Sequence, residues 1–66
     1  MKFNRNALKV AMAERFFTIA ELSKRSGIGS DTIAKILHTD RIPNTATIGR
    51  LAKALGIEPS KLMKEE

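Results

Sequence analysis

The chain has 66 residues, 12 Lys and Arg against 7 Asp and Glu, no cysteine and a single histidine, His38. That length allows one domain with a marginal core, because a chain of this size buries only about 60% of the surface it exposes when unfolded. The inventory excludes a disulfide framework and a zinc cluster, and the formal net charge of +5 favours a polyanionic partner, nucleic acid ahead of an anionic membrane surface.

Lys2 and Arg5 imitate the charged start of a secretory signal, but Glu14 and Arg15 arrive before any long apolar run. No stretch approaches the ~18 consecutive apolar residues of a membrane span. The expectation is a cytoplasmic protein with no membrane association, no metal and no small-molecule cofactor. Apolar residues recur at helical rather than strand spacing. The first predicted helix covers Asn6 to Arg15, with Asn6 as its N-cap and Leu8, Ala11 and Met12 as its inner stripe.

The second helix has the clearest start. Thr18 and Glu21 stand in the T-x-x-E spacing of a capping box, and Phe17 and Leu22 in that of a hydrophobic staple. It is predicted over Ile19 to Arg25 and stops at Ser26-Gly27, where glycine supplies the positive φ of a helix end. Only Gly27, Ile28 and Gly29 separate it from a third helix, Ser30 to His38, capped by Gly29 or Ser30. Ile33, Ile36 and Leu37 face inward there, and Asp31 lies in the first turn.

After a loop from Thr39 to Pro43, Asn44 or Thr45 caps a fourth helix that reaches Leu55 and turns Ile48, Leu51, Ala52 and Leu55 inward. Gly56 suits its C-terminal position, and Pro59 the first position of a short fifth helix to Lys64. Phe3, Phe16 and Phe17 are expected to pack, unless Phe3 lies on an exposed arm. The whole is read as one domain over 1–66, with its core at about 6–64 between a short N-terminal arm and a C-terminal tail.

Two short helices joined by a tight glycine-containing turn define a helix-turn-helix, whose second helix can lie in the major groove while the first crosses the backbone. With "TIAELSKRSGIGSDTIAKIL" followed by "IPNTATIGRLAKALGIEPSKLM", the chain resembles the Cro/phage-repressor (XRE-type) helix-turn-helix family over about Leu8 to Met63. The resemblance implies an all-α, compact five-helix lambda-repressor-like domain that binds double-stranded DNA. The chain departs from the family at Ile19, where glutamine is usual, at Ser23, where alanine is usual, and at Phe16, where helix 1 often ends in glycine. The family's usual glutamine contact is therefore not expected here. Ser23 is small enough for the helix crossing, and its hydroxyl can bond back to a carbonyl.

By that resemblance the base-reading positions are Ser30, Asp31, Thr32 and Lys35, following Gly29. Ser30 and Thr32 can bond bases or phosphates, and Lys35 can reach guanine or a phosphate. The alternative reading of Ser30 is a plain helix cap, and Asp31 either accepts from cytosine or simply complements the helix dipole. Phosphate contacts fall to Thr18 on one side and to Arg41, Asn44 and Thr45 on the other, where helix N-termini offer free N–H groups. A homodimer, at least on DNA, would use Ile57, Pro59, Leu62 and Met63, unless these residues close the monomer core.

The leading expectation is a sequence-specific transcriptional regulator, a repressor, reading a two-fold-related operator. The alternative is an antitoxin-like module that binds a partner protein and autoregulates its operon. An enzyme is not expected: there is no cysteine or tyrosine, one histidine, and no G-x-x-x-x-G-K phosphate loop.

Overall fold

A computed structural model describes residues 2–64. In chain order it contains strand β1 (Lys2–Phe3), helices α1 (Arg5–Glu14), α2 (Ile19–Ser26), α3 (Ser30–His38) and α4 (Thr45–Leu55), a 3₁₀ turn (Pro59–Leu62) and strand β2 (Met63–Lys64). Side-chain caps set three of the helix starts. Asn4 Oδ1 accepts from Ala7 N–H at 3.1 Å, Thr18 Oγ1 from Glu21 N–H at 3.1 Å, and Asn44 Oδ1 from Thr47 N–H at 2.8 Å.

The first boundary corrects the sequence reading. Asn4, not Asn6, caps α1, because Asn4 leaves β1 in extended conformation while its N–H is held by the Leu62 carbonyl at 2.7 Å. Asn6 lies inside the helix and is exposed. The predicted fifth helix is a 3₁₀ turn that gives way to β2, and β2 pairs antiparallel with β1 in the register Lys2↔Lys64 and Phe3↔Met63. Hydrophobic periodicity could not announce strands of two residues. The N-terminal segment is thus pinned rather than a free arm, and Phe3 is a core residue.

The apolar stripes bury as their spacing demands. Leu8, Ala11 and Met12 of α1 meet Leu22 of α2, Ile33, Ile36 and Leu37 of α3, Ile48, Leu51, Ala52 and Leu55 of α4, and Phe3, Ile28 and Leu62 in one cluster. Helix α2 packs against α3 and α4, while α1 packs against α3 and the Pro59–Leu62 turn.

Two helices end in the same hydrogen-bond pattern with different residues. At α4, Ile57 N–H reaches Ala52 O at 3.0 Å and Gly56 N–H reaches Lys53 O at 3.1 Å, with Gly56 at φ 69°. At α1, Phe17 N–H reaches Met12 O at 2.9 Å and Phe16 N–H reaches Ala13 O at 3.1 Å, with Phe16 at φ 58°. Both are Schellman ends, which place one left-handed residue after the helix. The expectation that Phe16 packs is corrected: left-handed geometry turns its ring outward, 93% exposed, while Phe17 packs against the core.

Candidate nucleic-acid interface

The geometry of the motif is fixed in the turn between α2 and α3. Gly27 ends α2 at φ 73° and its N–H donates to Ser23 O at 2.9 Å. Ile28, buried, anchors the turn in the core, and its N–H donates to Ser26 Oγ at 3.2 Å. The Ser23 hydroxyl donates to Ile28 O at 2.6 Å. The expected bond to a carbonyl therefore exists, but it runs forward across the turn instead of back along α2. Gly29 is the N-cap of α3 and makes no side-chain cap bond.

That cap assignment frees Ser30. It stands at the first position of α3 with an exposed side chain, so its hydroxyl is not spent on capping the helix. Asp31 and Lys35 are also exposed and share one helix face at i, i+4 spacing; Thr32 is half-buried beside Gly29. The opposite face carries Ile33, Ile36 and Leu37 into the core. Helix α3 thus presents a polar outer surface on a rigidly packed inner one.

The expected phosphate residues surround this helix in the chain and are all exposed: Thr18 before α2, Arg41 in the loop, and Asn44 and Thr45 opening α4. Thr18 and Asn44 each spend a side-chain oxygen on capping yet keep donors, a hydroxyl and an amide NH₂, for a second partner. The Arg41 backbone is held while its guanidinium has no ion-pair partner among the described residues. Ile19, where the family has glutamine, is half-buried and lines a shallow apolar groove with Met12, Ala13, Phe17 and Leu37. It packs where a polar residue would reach outward.

Arg25 and Lys53 have places of their own in the fold. Arg25 pairs with Glu21 at 3.0 Å and lies 4.9 Å from the Phe17 ring centroid. Arg25 and Lys53 fall in the last turns of α2 and α4, where positive charge complements the helix dipole. With Ser26, Arg50 and Ala54 they line an open cleft between these two helices.

The residues expected at a dimer surface separate. Pro59 is exposed and Ile57 and Met63 are half-buried, but Leu62 is completely buried in the monomer core. Leu62 therefore offers no surface to a second copy. Sequence reasoning missed Arg5, whose side chain reaches the end of α3 and the loop, and Ile42, 73% exposed beside Arg41. Nothing in periodicity or motif marks either position.

Comparison with known proteins agrees with this geometry. A family model described as a Cro/C1-type HTH DNA-binding domain matches residues 7–65. Among solved structures, the chain is similar to PhpD with cadmium complexed with hydroethylphosphonate, at 28% identity and a TM-score of 0.81. It is likewise similar to native PhpD with cadmium atoms, at 28% identity and a TM-score of 0.80. Each match covers 98% of this chain but 14% of the PhpD chain. No curated protein sequence matches.

Proposed function

The chain belongs to the Cro/C1-type helix-turn-helix DNA-binding family, and on that premise we propose that it is a sequence-specific transcriptional repressor that seats α3 in the major groove of a two-fold-related operator. The observation that carries this reading is the two-faced α3, with exposed Ser30, Asp31 and Lys35 over a fully buried Ile33 and Ile36. Lys35 donates to a guanine edge or a neighbouring phosphate. Ser30 and Thr32 supply hydroxyls, the Thr32 methyl meets a thymine methyl, and Asp31 accepts from cytosine N4.

Phosphate contacts position the domain and carry no base code. Thr18 serves one strand and Arg41, Asn44 and Thr45 the other, with the free N–H groups of α2 and α4 beside them. A second copy on DNA meets the first through Ile57, Pro59 and Met63, with Leu62 behind them as core. Selection of bound duplexes from a random pool tests the reading. The expected result is enrichment of paired half-sites about one helical turn, roughly 34 Å, apart. Failure to enrich any sequence, together with capture of DNA only as a complex with another protein, would contradict it and favour the antitoxin-like role.

A further inference from the structure

We propose that Arg5 is a positioning residue for the DNA face, fastening the end of α3 to the loop that carries Arg41; the inference rests on the DNA-binding reading above. Arg5 opens α1, and its Nε donates to the Ile36 carbonyl while an Nη donates to the Arg41 carbonyl at 2.6 Å. These bonds cross 31 and 36 residues of sequence, whereas the capping and turn bonds cross 5 or fewer. Ile36 lies in the last turn of α3, where carbonyls lack intrahelical partners and a cation complements the helix dipole.

The loop of residues 39–44 has no regular structure of its own. Its Arg41 is gripped at both backbone groups: the N–H donates to Thr39 Oγ1 at 3.2 Å, and the carbonyl accepts from Arg5. The Thr39 hydroxyl in turn donates to Lys35 O. The Arg41 side chain thereby projects from a fixed backbone. Only a planar fork spans two carbonyls in this way, which an ammonium point charge does not reproduce.

Arg5 is itself held from behind. The centroid of the Phe3 ring lies 5.7 Å from its guanidinium carbon, Phe3 is fixed by pairing with Met63, and Asn4 N–H bonds Leu62 O at 2.7 Å. Pairing of β1 with β2 is thus transmitted through Arg5 to the loop on the DNA side.

The test compares Arg5→Ala, Arg5→Lys, Arg41→Ala and the Arg5→Ala/Arg41→Ala double variant. Affinity is measured for a duplex selected by the parent protein, across salt concentrations and well below each variant's Tm. Both Arg5 variants should bind about tenfold more weakly, with the salt slope of Arg5→Lys equal to the parent's, and Arg5→Ala should add little once Arg41 is gone. In the DNA-free protein, both variants should speed amide exchange at Thr39 and Arg41, whose N–H groups are bonded in the loop, while Leu22 to Gly27 in α2 and its end stay protected. If Arg5→Ala does not fold, Arg5→Lys, which keeps the aliphatic stem, decides alone through exchange and affinity. Parent-like affinity and loop exchange in Arg5→Lys would overturn the proposal, as would effects of Arg5→Ala and Arg41→Ala that simply add, with one phosphate's worth of salt slope lost at Arg5. Should the parent bind no duplex, the DNA reading fails on its own, and loop exchange in the free protein still judges the role of Arg5.

Discussion

Phe16 occupies a left-handed position at φ 58° with its ring 93% exposed. A side chain there costs roughly 1–2 kcal/mol, and an exposed ring recovers almost none of it by packing. Glycine removes the strain but gives back about 0.5–1 kcal/mol through the freer unfolded chain. Phe16→Gly should therefore stabilise the domain by about 0.5–1 kcal/mol, visible as a Tm higher by a few degrees. Ser23 makes the opposite case. Its hydroxyl holds Ile28 O at 2.6 Å, so Ser23→Ala should cost about 1 kcal/mol in denaturant titration, even though alanine is the family's usual choice. A Ser23→Ala protein as stable as the parent would remove that bond from the account.

At the scale of elements, the turn between α2 and α3 rests on backbone conformation. A Cβ at Gly27 would meet nothing within 4 Å, so Gly27→Ala should lose only the cost of the left-handed residue, roughly 1–2 kcal/mol, without a packing term. Measured stability loss beyond that range would mean the turn itself had rearranged. The helices were legible because their signals are dense. The T-x-x-E spacing of Thr18 and Glu21, of which only the Thr18 half forms a cap because the Glu21 carboxylate pairs with Arg25, the glycine at Gly27 and the stripe of Ile33, Ile36 and Leu37 each mark α2 or α3 independently. The first cap was misplaced because Asn4 and Asn6 both satisfy the composition rule, and only the tertiary bond to Leu62 O selects Asn4. The β1–β2 pairing and the reach of Arg5 were illegible for the same reason: both depend on residues distant in sequence. On the proposed DNA face, Lys35→Ala should weaken binding and relax selectivity at about one base position, a loss of ~1–3 kcal/mol. Arg41→Ala should weaken binding evenly across sequences and reduce the salt slope by about one.

The described domain spans 31 × 21 × 19 Å, and under the proposed function one copy would read a single half-site, so an operator with two half-sites would take two copies. With Leu62 buried, Ile57, Pro59 and Met63 offer a narrow surface, and pairing is expected to depend on DNA more than on free association. Sedimentation should report monomer at low concentration and two copies per duplex carrying paired half-sites. The likeness to PhpD concerns 14% of that chain, and the cadmium and hydroethylphosphonate named there belong to PhpD. Among the described residues no group of three His, Asp or Glu could hold a metal ion, and no helix is long and apolar enough to cross a membrane.

The most direct test of the central claim is a footprint read on the protein. Backbone amide chemical shifts would be followed while a selected duplex is titrated in. Perturbations should concentrate at Thr18, at Ser30 through Lys35, and at Arg41, Ile42, Asn44 and Thr45, with the cleft formed by Arg25, Arg50 and Lys53 unmoved. Perturbations confined to that cleft, with α3 silent, would contradict the assignment of α3 as the helix that enters the groove.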